Sequence, residues 1–262
     1  MPSDLSPIDK AKFVCAKRAS QFVQSGMRVG LGTGSTAAWL VRCLGDMVRD
    51  DDLQIKAVPT SSRTAELAGQ VGIEVITLDE AKWLDLTIDG ADEFDSDFNL
   101  IKGGGAALLQ EKIVASASDR MIVIADVSKD VNKLGAFPLP IEVIPFGRHT
   151  TQKLVEEALV SLDVLGRETT WRMDGDKLLF TDEGNHILDL HLKRIEDAPQ
   201  LALILNQIPG VVENGLFIGL SDTVVLGFGD GRTEVRDINE GTIEAAKSDL
   251  AENDNLFSDL PD

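Results

Sequence analysis

The sequence predicts an α/β fold: a Rossmann-like parallel sheet covered by helices, with a smaller ferredoxin-like α+β domain. Three observations carry this. Short apolar segments alternate with amphipathic helical ones from residue 8 to about residue 125, the pattern of a parallel sheet and its crossover helices. Two glycine-rich turns, Gly32-Thr33-Gly34-Ser35-Thr36 and Gly103-Gly104-Gly105, follow strand-like segments and precede helical ones, where such folds place ligand loops. Beyond the stiff Phe137-Pro138-Leu139-Pro140 the order changes to β-α-β-β-α-β.

Taken in order, residues 8–25 read as a first helix with a broad apolar face that includes Ile8, Phe13, Val14, Phe22 and Val23. Residues 27–31 form a short strand that enters the first glycine turn, and residues 37–47 continue as a helix. A second strand over 53–58, a polar loop, a helix over 64–71 and a third strand over 73–76 repeat the unit. A short helix near 79–82 leads to a strand over 84–88, in which Leu84, Leu86 and Ile88 alternate. That strand runs into Asp89-Gly90-Ala91-Asp92; a polar loop, Lys102 and the second glycine run follow, with a helix over 106–117. Residues 121–125 are another strand. In the smaller domain, strands over 141–144 and 169–173 flank a helix over 150–165. A hairpin pairs 178–181 with 187–190 around residues 182–185, and a helix over 199–208 precedes a strand over 211–217. The expected domains are 1–138 with 220–235, and 139–219. Residues 236–262 are expected to form an acidic C-terminal tail, either disordered or a short exposed helix.

Composition narrows the function. The 262 residues carry 25 basic and 44 acidic side chains, a formal charge of −19. That argues against nucleic acid and anionic membranes, both of which need basic surface, and requires any anion site to be locally positive. Such acidity suits a saline interior, where at ~1 M salt the screening length falls to about 3 Å. No apolar run is long enough to span a bilayer, and Met1-Pro2-Ser3-Asp4-Leu5 lacks the pattern of a signal peptide. Cys15 and Cys43 stand apart, without metal-ligand spacing. The expectation is a cytoplasmic protein with two buried free thiols.

The chemistry gathers in residues 88–112. Unhindered backbone N–H groups at a glycine-rich helix start favour an anion, and Lys102 beside them adds a full charge. Glu111 falls near an apolar helix face with Ala107, Leu108 and Val114, which should disfavour its charged form. Together these parts suit a small phosphorylated substrate and acid/base chemistry; the alternative is a structural glycine connection with ordinary surface charges. Gly32-x-Gly34-x-x-Ala37 also matches a dinucleotide fingerprint, but Asp50, Asp51 and Asp52 follow a helix, so no ribose-binding acid ends a second strand. Thr33, Ser35 and Thr36 instead offer hydroxyls for a phosphate or sugar. Asp89, Asp92, Glu93, Asp95 and Asp97 could bind Mg²⁺ or Ca²⁺, yet lack the alternation and terminal glutamate of an EF-hand. His149, His186 and His191 accompany no nucleophile motif and read as structural or solvated. The glycine turns and the Asp89–Asp92 segment follow strand ends at the carboxyl edge of the sheet, which supports one site.

The blocks Gly32-Thr33-Gly34-Ser35-Thr36, Asp89-Gly90-Ala91-Asp92-Glu93 and Lys102-Gly103-Gly104-Gly105-Ala106-Ala107-Leu108 through Glu111-Lys112 resemble the signatures of the type A ribose-5-phosphate isomerase family. Ile124-Ala125-Asp126-Val127-Ser128-Lys129 and Phe137-Pro138-Leu139-Pro140-Ile141-Glu142-Val143-Ile144-Pro145 extend the similarity. The resemblance implies interconversion of D-ribose 5-phosphate and D-ribulose 5-phosphate through an enediolate, with no cofactor and no metal. It implies Glu111 as the base, Asp89 and Asp92 as the acidic pair for ring opening and hydroxyl positioning, and Lys102 on the enediolate side. Thr33, Gly34, Ser35, Thr36, Gly90, Ala91, Gly103, Gly104, Gly105 and Lys129 match substrate-binding positions, and the family implies a homodimer or homotetramer. Sugar-phosphate-sensing regulators share a related sheet but carry an amino-terminal DNA-binding domain that is not evident here; a dehydrogenase is a third reading, separable by NAD(P) binding.

Overall fold

The computed structural model describes residues 5–247. The first half of the chain runs α1 (Pro7–Ser20), β1 (Arg28–Leu31), α2 (Ser35–Asp50), β2 (Lys56–Pro59), α3 (Ser62–Gln70), β3 (Glu74–Val75), α4 (Leu78–Ala81), β4 (Leu86–Gly90), β5 (Glu93–Phe94), β6 (Leu100–Ile101), α5 (Leu108–Ser116) and β7 (Met121–Asp126). A 3-10 turn over Val127–Lys129 follows, then β8 (Leu139–Val143), α6 (Arg148–Leu159), β9 (Glu168–Trp171), β10 (Met173–Asp174), β11 (Lys177–Leu178), β12 (His186–His191) and α7 (Ala198–Asn206). The chain continues through β13 (Val211–Asn214), β14 (Leu216–Phe217), β15 (Thr223–Gly227), β16 (Arg232–Asp237) and β17 (Gly241–Lys247). The described residues form two compact units, one of 5–90, 114–128 and 221–247, the other of 91–113 and 129–220.

The first unit is built on an eight-stranded sheet ordered β17-β16-β15-β7-β4-β1-β2-β3. From β15 to β3 the neighbours are parallel. Central β7 is buried along its whole length, as a strand covered on both faces must be. Its core joins Val14, Val29, Leu40, Leu44, Ile88, Ile122 and Val225. Local chemistry sets the helix starts: Ser6 caps α1 by accepting from Asp9 N at 3.1 Å, and Pro7 stands in its first turn. Thr77 and Glu80 make a reciprocal capping box on α4. The register of β1 on β4 pairs Leu31 with Ile88, so the first glycine turn leaves the sheet beside Asp89 of β4.

The second unit contains a four-stranded antiparallel sheet ordered β13-β8-β12-β9. The inner strands are the first and third of the four in the chain, and α6 and α7 provide the two crossovers, which is the ferredoxin-like arrangement. Ile141, Val143, Val155, Leu159, Leu188, Leu190, Leu201 and Leu205 belong to its core. A three-stranded sheet ordered β14-β6-β5 lies in the same unit.

Three sequence expectations are corrected. Residues 91–113 and 129–138 fall in the second unit rather than the first; β6 pairs with β5 on one side and β14 on the other, not with the parallel strands. The hairpin of 178–181 with 187–190 does not form: β11 pairs with β10, the chain reversing at Gly175 with φ +61°, while β12 pairs with β8 and β9. Residues 241–247, assigned to a loose tail, are β17, antiparallel to β16; alternate Thr233 and Val235 of β16 are buried, which gives that strand one apolar face. The rest of the tail, 248–262, lies outside the described residues.

Candidate active site

In the first unit, β1 ends at Leu31 and the chain turns through Gly32 and Thr33 into α2. Gly34, with φ +109°, is the N-cap residue of α2, a conformation that favours glycine. A Cβ on Gly32 would collide with the Asp89 carboxylate and meet the Asp89 Cα at 2.6 Å, so only glycine permits this approach. Asp89 is wholly buried. Its Oδ1 accepts from Thr33 N at 3.1 Å and from Gly90 N at 2.6 Å, so the carboxylate fastens the glycine turn to the end of β4.

The Thr33 hydroxyl, expected to offer itself to a ligand, sits in a hydroxyl network instead. It lies 2.8 Å from Thr60 Oγ1, 2.8 Å from Ser61 Oγ and 3.3 Å from Thr64 Oγ1. Gly34 and Ser35 are exposed and Thr36 is half-buried. The first turn of a 16-residue helix therefore faces solvent there, with the positive end of the helix dipole behind it.

In the second unit, Lys102 follows β6 and Glu111 stands in the first turn of α5. Lys102 Nζ lies 3.1 Å from Glu111 Oε1, with the side chains only 3% and 4% exposed. The ammonium also lies 5.5 Å from the centre of the buried Phe217 ring, within range of a cation–π contact. A full positive charge beside Glu111 offsets part of the cost of burying the carboxylate.

Asp92 is half-buried and accepts from Gly104 N at 2.7 Å through Oδ2. A Cβ on Gly104 would meet Asp92 Oδ1 at 2.6 Å. The second glycine run does not open the helix directly. Ala106 N bonds to Gly103 O at 3.0 Å, closing a turn with positive φ at Gly103 and Ala106, and α5 starts only at Leu108. Gly104 and Gly105 are exposed, whereas Gly103 is buried. Ala91 is half-buried in the link between β4 and β5, and Lys129 is half-buried at the end of the 3-10 turn.

Contacts thus join Thr33 and Gly90 to Asp89, Gly104 to Asp92, and Lys102 to Glu111. Asp95, one of the possible metal ligands, accepts from Asp97 N at 3.0 Å and Asn99 N at 2.9 Å and so organises a turn. Among the described residues no three His, Cys, Asp or Glu side chains could hold a metal together. No helix among them is long and apolar enough to cross a membrane.

Sequence reasoning missed Phe217, whose ring faces both Lys102 and, at 5.0 Å, Lys112. It also missed Glu213, which pairs with Lys112 at 2.9 Å, and Arg172, which donates to the carbonyls of Gly103 and Gly104 at 2.6 and 3.1 Å. None belongs to a local motif.

A family model described as ribose 5-phosphate isomerase A (phosphoriboisomerase A) matches residues 56–231. A ribose-5-phosphate isomerase A of Roseobacter denitrificans is 75% identical over 262 residues, covering the whole of both chains. Among solved structures, ribose 5-phosphate isomerase A from Methanocaldococcus jannaschii superposes with a TM-score of 0.77 at 39% identity, over 90% of this chain and 98% of that one. A D-ribose-5-phosphate isomerase in complex with phospho-erythronic acid gives 0.79 at 36% identity, over 92% and 99%.

Proposed function

The chain belongs to the ribose 5-phosphate isomerase A family, whose members interconvert ribose 5-phosphate and ribulose 5-phosphate, and from that premise we propose the roles of its residues. Glu111 is the base. It takes the C2 proton of the open-chain aldose, and the C2–H electrons form the C1=C2 bond while the carbonyl oxygen at C1 becomes an enediolate oxygen. Returning the proton to C1 while the O2 hydroxyl passes its own proton to O1 gives the ketose, so no redox partner or cofactor is consumed. Lys102 balances the enediolate charge, a role that a preorganised cation fills without reorganisation.

The observation that carries this assignment is the buried Lys102–Glu111 pair at 3.1 Å, a proton acceptor and a cation held on adjacent elements. Asp92 and Asp89 position the sugar hydroxyls and assist ring opening. Gly34, Ser35 and Thr36, at the exposed start of α2, bind the phosphate or terminal sugar oxygens, with Thr33 setting the turn. Gly90, Ala91, Gly103, Gly104, Gly105 and Lys129 complete the substrate contacts. That one solved relative was obtained with phospho-erythronic acid, a phosphorylated sugar acid, supports the choice of substrate class.

The reaction needs no metal in this scheme. The protein acts in the cytoplasm as a homodimer or homotetramer. The experiment is the conversion of ribose 5-phosphate to ribulose 5-phosphate by protein dialysed exhaustively against EDTA. An undiminished rate is expected; turnover lost on dialysis and restored by Mg²⁺ would recast the Asp89–Asp97 carboxylates as a metal site.

A further inference from the structure

We infer that Arg172 and Asp189 are positioning residues for the isomerisation, acting on Asp92 through the peptide that joins Gly103 to Gly104. The inference rests on the reading of Asp92 as a sugar-positioning carboxylate. Arg172 lies between β9 and β10, its main chain fixed by donating to Ile187 O at 2.9 Å and accepting from Leu179 N at 3.0 Å. Its guanidinium grips Asp189 of β12 with two nitrogens: Nε donates to Oδ2 at 2.9 Å and Nη2 to Oδ1. The paired side chains are 16% and 14% exposed. A planar fork held this way has little freedom left.

The remaining nitrogen, Nη1, donates to Gly103 O at 2.6 Å and to Gly104 O at 3.1 Å. From the other edge of the same peptide, Gly104 N–H donates to Asp92 Oδ2 at 2.7 Å. The peptide is planar, and its C=O and N–H point in opposite directions. One plane is therefore held by a cation at its oxygen and by a carboxylate at its nitrogen. A positive charge on the carbonyl polarises the N–H, which strengthens its hold on Asp92. An arginine that served only to tie β9 to β12 would be satisfied by Asp189. Here a third nitrogen holds a glycine segment that has no side chain of its own to fix it, and the line of contacts ends on Asp92.

The test is a double-mutant cycle in the full-length protein with Arg172→Met, Asp92→Asn and both together. It is read as kcat and KM for ribose 5-phosphate, a thermal melt, and the Gly104 amide resonance of glycine-labelled protein across pH. Arg172→Met should lower kcat by about tenfold to a hundredfold, as small misplacements of a positioned group do. It should shift the Gly104 amide. In the Asp92→Asn background the same change should cost no more than about twofold, because coupled residues are not additive. Asp189→Asn, which keeps the arginine and the shape of its partner, should show the same amide shift with a smaller loss, and it decides the matter if Arg172→Met does not fold.

Effects of Arg172→Met and Asp92→Asn that multiply, or a Gly104 amide indifferent to Arg172, would overturn the inference. The two layers separate cleanly. If Asp92→Asn lowers kcat and Arg172→Met does not, the positioning role alone fails. If Asp92→Asn leaves kcat unchanged, the reading of Asp92 fails and takes the positioning role with it.

Discussion

Lys102 and Glu111 face each other at 3.1 Å, each almost wholly removed from solvent. Neither charge would be stable alone in that position, and together they are tolerated because each is the other's solvation. The lysine is placed by the loop after β6, where its N–H donates to Gly215 O at 2.9 Å. The glutamate is placed by the first helical hydrogen bond of α5, Glu111 N to Ala107 O at 3.0 Å. Proton acceptor and cation are thus fixed relative to one another by backbone contacts.

Lys102→Met should cut turnover by about 10²–10³, the usual worth of a preorganised electrostatic donor, with a smaller change in KM. It should also lower the melting temperature, because removing one partner of a buried pair costs about 3–5 kcal/mol. Steady-state kinetics beside a thermal melt check both. A variant with unchanged kcat and only a raised KM makes Lys102 a substrate anchor instead.

Gly32→Ala should remove activity and much of the stability of the first unit. The new Cβ would meet the Asp89 Cα at 2.6 Å, and backbone cannot yield as a flexible side chain can. Gly34→Ala is the control: no atom lies within 4 Å of its Cβ, and only the φ of +109° opposes it, a strain of about 1–3 kcal/mol. Circular dichroism melts of the two variants decide. Equal melting of Gly32→Ala and the parent would contradict the pairing of β1 with β4.

Glu142 on β8 should make the second unit less stable as pH rises. Burial raises its pKa above the ordinary carboxylate value, against the hydrogen bonds from Asn185 and Thr181 that lower it. Below the ordinary carboxylate range both folded and unfolded chains hold the proton. As pH rises toward the folded pKa the unfolded chain releases it first, so the native state loses stability. Glu142→Gln keeps an oxygen for Asn185 and Thr181 and should flatten this dependence. Urea midpoints at about pH 5 and pH 8, where linkage from a raised carboxylate is felt, measure it; an unchanged slope in the variant would assign the effect elsewhere.

Cys15 and Cys43 should be inert in the native protein. Burial pushes the Cys43 thiol up to about 12 and raises the Cys15 thiol strongly as well, so neither supplies a thiolate near neutrality. A thiol reagent should find both only after denaturation; rapid modification of the native protein would contradict the burial of α1 and α2.

Much of this was legible because it is local. Gly32 to Thr36 announces itself as a turn after an apolar strand, and the parallel sheet follows from the strand–helix alternation, although Asp89 and Gly90, read as a turn, are the last residues of β4. The late start of α5 was not legible, since the glycine run is folded by Arg172, 69 positions from Gly103, and Ala106 adopts a positive φ that its residue type does not signal. Arg172, Asp189 and Glu213 belong to no local motif: Arg172 meets Asp189 because β9 pairs with β12, and Glu213 meets Lys112 of α5. The strand β17 was hidden by its acidic setting and shows only in its antiparallel pairing with β16.

The central claim, that Glu111 is the isomerising base, is tested most directly by Glu111→Gln. The amide keeps an oxygen acceptor for Lys102 Nζ and a similar shape, and removes the basicity. Two quantities are measured on parent and variant: the rate of ribose 5-phosphate isomerisation, and the calorimetric affinity for phospho-erythronic acid, with a melt to verify folding. The account predicts a rate lower by about 10²–10⁴, as for other positioned general bases, with affinity changed only severalfold. A folded variant that binds the analogue and retains more than roughly a tenth of the parent rate would contradict it, and the base would then have to be sought at Asp89 or Asp92.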